Sequence, residues 1–365
     1  MSGYRKVSGS GGPARRPQLK DVARAASVSI SVVSRVLNGD PSLRARRETI
    51  ERVEAAAASL QYRANAAGRS LRKQSVDVIG VVLPDANSLF YAEMLRGIEA
   101  ACDERELMPM VIRAERIGAN SNLLTRLVRE GRVDGLLVQP IDRIAAEVME
   151  GIVRDHVPTV ILVSKSQWQP GSVVFDDAAG IAVATRHLIA LGHRDIGFVG
   201  GFPSHDTAPR RLSGFESAME SSGLPIRKEW VTELGYSPED GRAAFAQIAE
   251  QEHPPTAVVI ATHNAAIGFA QAARQASVDV PDDLSIVSLH DSLSAEYVTP
   301  ALTTVKMPLF ELGYQAVTHL AEILSGEPAR DIVVTEPRPI LIERESAGPP
   351  RTQSHLNPLR KTGNK

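Results

Sequence analysis

The chain has 365 residues, 43% hydrophobic and 23% charged, enough for about two to three domains with buried cores. Its single cysteine, Cys102, excludes a disulfide framework and paired-cysteine zinc; without a run of about 18 apolar residues or an apolar leader, no membrane or secretion is expected and the chain is placed in the cytoplasm. The net charge of −2 conceals 15 Lys and Arg against 5 Asp and Glu in residues 1–75, with 26 against 38 in the remainder. That pattern fits a basic nucleic-acid-binding head on an acidic body, or a basic unfolded arm.

Residues 1–16 are rich in Gly, Ser and Arg, with too few apolar side chains to offset the entropy of ordering, so a flexible arm is expected. From Gln18 to Tyr62 apolar residues recur at helical spacing in three blocks: Leu19, Val22, Ala23 and Ala26; Val33, Val36 and Leu37; Ile50, Val53, Ala57 and Leu60. Ser29 is placed to cap the second helix. Asn38-Gly39-Asp40-Pro41 is placed to stop it, because Asn and Gly tolerate a left-handed residue and Pro cannot continue the ladder. Two short helices, a tight turn and a third helix over residues 17–63 predict a helix-turn-helix, whose second helix enters the major groove of double-stranded DNA. A plain three-helix bundle shares that spacing. The face opposite Val33, Val36 and Leu37 favours DNA: Ile30, Ser31, Ser34 and Arg35 suit base edges and phosphates, whereas a solvated face carries long mixed charges.

After a linker over 64–75, apolar runs alternate with amphipathic stretches. The runs are Val76 to Leu83, Gly135 to Val138, Thr159 to Val163, Val173 to Phe175, Ile196 to Val199, Ala257 to Ile260 and Leu284 to Leu289. Helices are predicted at 90–106, 120–130, 144–154, 178–191, 210–222, 239–250, 264–276 and 309–325. The fold class that follows is α/β: an all-α head and a two-lobed body of doubly wound parallel sheets. Lobe one is assigned to about 76–175 and 305–336, lobe two to about 176–304 and 337–345, and 346–365, proline-rich without acidic residues, to an unpacked tail. Ligands of such sheets bind beyond the carboxyl ends of strands. No phosphate loop, HExxH or GxSxG occurs, Gly197-Phe198-Val199-Gly200-Gly201 falls short of a dinucleotide fingerprint, and His187, His193 and His205 lack metal-ligand spacing. Neither catalysis, a metal nor a cofactor is expected.

The strings LKDVARAASVSISVVSRVLNGD, IERVEAAAASLQYRANAAGRSLRKQSVDVIGVVLPD, HLIALGHRDIGFVGG, RRLSGFESAM and VTPALTTVKMPLFELGYQAV resemble the lactose/galactose-repressor (LacI/GalR) family, across roughly residues 18–343. The resemblance implies that Ile30 and Ser31 read bases and that Ser34, Arg35 and Asn38 hold backbone or neighbouring edges. Val32 stands where a Thr usually contacts DNA, and Ser27 where the turn usually has Gly. Residues Asn65 to Leu71 resemble the family's hinge helix, with Asn65 and Arg69 in it and Leu71 matching the leucine that wedges into the minor groove. A flexible linker is the alternative, since Gly68 weakens a helix.

The body resembles the family's periplasmic-binding-protein-like sensor, two lobes closing on a small-molecule effector. Implied effector contacts follow the strand ends: Asp85, Phe90, Tyr91, Gln139, Arg211, Thr262, His263, His290 and Asp291. Arg211 matches the ligand-gripping arginine, and Tyr236 falls where some members stack a ring on a sugar, though a packing role fits equally. Thr262-His263 replaces a usual Asn-Asp pair, and His290 replaces the first Asp of a later pair, leaving Asp291. Because imidazole titrates near neutrality and can donate to a carboxylate, the exchange favours an acidic or oxidised-sugar effector. The resemblance as a whole implies a homodimeric repressor on a pseudo-palindromic operator, controlled by a sugar, sugar acid or other carboxylate. The alternatives are an activator or corepressor-dependent regulator of the same fold, and an α/β enzyme or solute-binding protein acting on a small carbohydrate.

Overall fold

Short apolar blocks form short helices where caps permit. In the computed structural model the described residues are 17–38, 40, 42–62, 75–84, 90–114, 122–140, 156–165 and 170–351, in two compact units that divide after Val76. The arm 1–16, the hinge residues Asn65, Arg69 and Leu71, Asp85, the helix predicted at 144–154 and residues 352–365 lie outside them.

The first unit has α1 (Leu19–Ala25), α2 (Ile30–Leu37) and α3 (Arg47–Ser59). Ser29 caps α2 as predicted, its Oγ accepting from the Val32 amide at 3.3 Å. Val22, Ala26, Val33 and Val53 are fully buried between the helices. The Arg52 Nε donates to the Ala26 carbonyl at 2.8 Å and ties α3 to the end of α1. Between α1 and α2, Ser27 has φ +53, a left-handed conformation that glycine adopts without a Cβ penalty.

The second unit has two six-stranded sheets. The first contains β1 (Val78–Leu83), β2 (Met108–Arg113), β3 (Gly135–Val138), β4 (Thr159–Leu162), β5 (Gly171–Phe175) and β11 (Ile332–Val334), in the order β11-β5-β4-β3-β1-β2 and all parallel. The second contains β6 (Ile196–Val199), β7 (Val231–Thr232), β8 (Ala257–Ile260), β9 (Ser285–Leu289), β10 (Thr303–Lys306) and β12 (Ile340–Ile342), in the order β12-β10-β9-β8-β6-β7. Only β12 runs antiparallel. The helices α4 (Phe90–Asp103), α5 (Asn122–Arg129), α6 (Asp177–Ala190), α7 (Thr207–Ser221), α8 (Pro238–Ala249), α9 (His263–Gln275), α10 (Leu293–Tyr297) and α11 (Leu309–Leu324) complete the βα alternation.

Two expectations are corrected. β10 pairs with β9 over Thr303 to Val305 and with β12 over Thr304 to Lys306, so Thr303–Lys306 belongs to the second sheet and the chain leaves it only after Lys306. The segment 346–351 is packed, not loose. The Ile286 amide donates to the Ser346 carbonyl at 2.7 Å, and the Gly348 carbonyl lies 2.8 Å from His193 Nε2 and accepts from Ser285 Oγ at 3.0 Å. The segment's own side chains add to this: Ser346 Oγ accepts from the Thr303 amide at 2.8 Å and donates to the Ile286 carbonyl at 2.7 Å, and Arg351 donates to Asp283 at 2.6 Å.

One glycine sets the site. A Cβ on Gly214 in α7 would lie 2.3 Å from the Ala178 carbonyl of α6, so only glycine lets these two helices approach this closely. At Ser27 the opposite holds: Ser27→Gly should raise the stability of the head by up to about 1 kcal/mol, read as a higher thermal midpoint.

Candidate functional site

On the head, the N-terminal face of α2 is open. Ile30 is 51% exposed, Ser31 is exposed, and Val32 and Ser34 are half-buried. Arg35 is turned elsewhere: its Nε donates to Asp40 at 2.8 Å and its guanidinium to Ser42 Oγ at 2.9 Å. Hydrogen bonds from Ser42 and then Arg35 pull the Asp40 carboxyl down to about 2, so this clasp stays charged at neutral pH. Asn38 caps its own helix, its Nδ2 donating to the Ser34 carbonyl and, at 3.3 Å, to Ser34 Oγ. Arg44, Arg46 and Arg47, which the sequence reading passed over, are exposed at the start of α3. Their clustering at a helix N-terminus was the available signal.

In the body, Arg211 lies at the centre. It is 3% exposed. Its Nε donates to Asp177 Oδ1 at 2.8 Å, one terminal nitrogen to the Ala261 carbonyl at 3.2 Å, and the other to His290 Nε2 at 3.1 Å. Tyr236 lies with its ring centroid 5.3 Å from the guanidinium and its hydroxyl 2.8 Å from Thr207 Oγ1. A Cβ on Gly201 would strike that ring at 1.9 Å, so glycine there lets Tyr236 lie against Arg211. Thr262 likewise caps α9, accepting from the Ala265 amide at 3.3 Å. Asp291 accepts from Thr304 Oγ1 at 2.6 Å and Arg344 at 2.9 Å.

The structure brings Phe90, His290 and Arg211 together. Phe90, at the start of α4 in lobe one, meets the His290 ring edge-on at 4.6 Å, while Tyr91 beside it is buried in the core. Because a guanidinium only donates, His290 Nε2 must accept and Nδ1 must carry the proton. That Nδ1, Nδ1 of His263 and Oε1 of Gln139 are buried with no hydrogen-bond partner among the described residues. His290 also has φ +68, a sparsely populated conformation at the end of β9.

Burial, then the Arg211 charge, holds His290 well below its ordinary value, and burial pushes His263 down to about 4. Both imidazoles are neutral at pH 7. This differs from the expectation that they titrate near neutrality; a neutral imidazole still donates from one ring nitrogen, to a carboxylate or a hydroxyl alike. Burial works against the charge on Arg211, and Asp177 more than compensates, raising its pKa. Asp177 also binds Arg210. The sequence reading missed both residues. The signal was a carboxylate pair, Asp176-Asp177, directly after a buried strand.

A basic reading head and a two-sheet body with buried, unpartnered polar atoms at strand ends are the parts of a DNA-binding sensor. Residues 18–65 match "Bacterial regulatory proteins, lacI family", and residues 185–347 match "Periplasmic binding protein-like domain". The HTH-type transcriptional repressor PurR of Serratia proteamaculans (strain 568) is 32% identical, over 90% of this chain and 96% of its own length. Catabolite control protein A of Priestia megaterium is 30% identical, over 88% and 96%. The solved Lac repressor dimer bound to operator and the anti-inducer ONPF superposes with TM-score 0.73 at 27% identity, covering 92% of this chain and all of that one. The chain belongs to the lacI family of bacterial regulatory proteins, and it is a DNA-binding transcription regulator.

The neutral histidines make stability depend on pH. Unfolded His263 takes up its proton near 6.5, whereas the folded side chain stays neutral to about 4. Between those values the unfolded state binds more protons, so stability intact above 6.5 is lost as pH falls to 4, by about 3 kcal/mol from this residue. Denaturant midpoints measured from about pH 7 to about pH 4 should fall steadily, and His263→Gln should flatten the slope.

Proposed function

We propose that the chain is a repressor that binds a pseudo-palindromic operator as a homodimer and alters its grip when a small effector occupies the cleft around Arg211. The observation that carries this reading is the exposed Ile30-Ser31 face of α2 on a helix-turn-helix, with Arg35 withdrawn into its own clasp. PurR, a repressor by name, and the Lac repressor dimer on its operator support the mode of action. One head reads one half-site, so a symmetric pair of heads suits a palindrome.

The proposed reader is then Ile30, Ser31, Val32 and Ser34 on bases and backbone, with the arginines at the start of α3 on phosphate. Arg35 and Asn38 shape the turn that presents them. The hinge contacts of Asn65, Arg69 and Leu71 remain part of the proposal through the family resemblance.

For the effector, the neutral imidazoles and an arginine already balanced by Asp177 favour an uncharged, hydroxyl-bearing molecule over a carboxylate. His290 Nδ1 offers a donor and Gln139 Oε1 an acceptor. The cleft binds this molecule and returns it unchanged, which separates the reading from an enzyme. A thermal-shift panel should give a saturable rise with a neutral sugar such as ribose or cellobiose and a smaller one with gluconate. Saturable stabilisation by carboxylates alone would reverse the assignment.

Operator binding is tested by enriching fragments of the organism's genomic DNA on the purified chain at two salt concentrations. A pseudo-palindrome that survives the higher salt is expected, and binding that fades uniformly would leave only phosphate contacts. Replacing Arg44 and Arg46 by Ala should weaken binding to all sequences alike and lower the salt slope by about 1 to 2.

A further inference from the structure

Arg210 and Arg211 are adjacent on α7, and Arg211 turns to Ala261 and His290 at the ends of β8 and β9. Arg210 reaches the other lobe. Its terminal nitrogens donate to the Val163 carbonyl just beyond β4 at 2.8 Å and to the Phe175 carbonyl at the end of β5 at 3.0 Å. Asp206, one turn earlier, accepts from Arg210 Nε at 3.1 Å and from the backbone amide of Lys165 at 2.9 Å. Two side chains of lobe two therefore hold the same short segment of lobe one. Val163 in that segment has φ +66, a conformation that a β-branched residue avoids unless its surroundings enforce it.

The two arginines meet on one carboxylate. Asp177 Oδ1 takes Arg211 and Oδ2 takes Arg210, and Asp177 is 1% exposed. A buried carboxylate that loses one of its two cations keeps an uncompensated charge. A displacement of one guanidinium must therefore be followed by the carboxylate or by the other guanidinium. Gly214 fixes this geometry by letting α7 approach the first turn of α6, where Asp177 begins the helix.

We propose that Asp177 and Arg210 are positioning residues that couple Arg211 to the contact between the lobes, so that occupancy of the cleft and the hold on Val163 and Lys165 change together. This rests on reading the cleft around Arg211 as the effector site. Because coupling free energy is reciprocal, loosening the interlobe end must be felt at the cleft end without any effector present.

That reciprocity gives a test on the full-length chain with no effector. Histidine carrying an isotope label at the ring nitrogens reports the His290 hydrogen bond from Arg211, and hydrogen exchange reports the Lys165 amide. Arg210→Gln should speed Lys165 exchange about tenfold or more and shift the His290 ring signals, although the Arg210 side chain makes no hydrogen bond to His290. Arg210→Lys keeps a cation for Asp177 but loses the fork, so it should speed Lys165 exchange with a smaller His290 shift. Should Arg210→Gln fail to fold, Asp206→Ala serves in its place, since it removes the acceptor of the Lys165 amide without touching Asp177. Faster Lys165 exchange with an unmoved His290 signal overturns the coupling, as does any result in which both signals stay at wild-type values. Operator enrichment by the wild-type chain is read separately. Its failure would count against the regulator reading and not against the coupling.

Discussion

A carboxylate buried between two guanidinium groups constrains the whole body of this protein. Asp177 is out of reach of solvent, and its charge is tolerable only because Arg210 and Arg211 both remain on it. Keeping them there requires α6 to start directly after β5 and α7 to pack against it, which the missing side chain of Gly214 permits. From the same point one arginine spans to lobe one and the other to the ends of β8 and β9. The cleft and the lobe contact are therefore built on one charge balance.

That balance also sets the chemistry of the cleft. Arg211 is charged but compensated, and it fixes His290 as a neutral ring whose remaining proton lies on Nδ1. His263 is neutral for the same leading reason as His290, burial, against the opposing pull of Asp291. The wall they form offers directional donors and acceptors with little net charge. Each unpartnered buried atom there gains a hydrogen bond only when a matching group is brought to it.

The head obeys a comparable economy of partners. Arg35, a cation on the face turned to DNA in the linear reading, is consumed by Asp40 and Ser42 and stiffens the loop after α2. What remains exposed at the N-terminal end of that helix is small or apolar, and the nearby exposed cations Arg44, Arg46 and Arg47 lie outside it. Ser27 adopts a left-handed conformation at the turn without glycine, a local strain that the buried contacts of Val22, Ala26 and Val33 outweigh.

Helix periodicity, the Ser29 cap and the alternation of apolar runs with amphipathic stretches were legible in the chain, because each depends on neighbours a few residues apart. They determined a three-helix head and a doubly wound body, and seven buried strands emerged close to where the apolar runs fall. β10, with two buried threonines, carried no such run and became a strand only through pairing, whereas β2, at a sheet edge, lies on the apolar stretch 107–112, which the sequence reading passed over. The packing of Ser346 to Arg351 was equally invisible, since its partners, Ile286, Thr303, Ser285 and Asp282-Asp283, lie 40 or more positions away along the chain. Arg211 and the two histidines could be named from the sequence. Their charges could not, because a pKa is set by burial and by partners as distant along the chain as Asp177 is from Arg211 and Arg211 is from His290. Which elements exist is a local property of this sequence; which of its ionisable groups are charged, and which of them act together, was decided only when the tertiary fold brought them to one buried point.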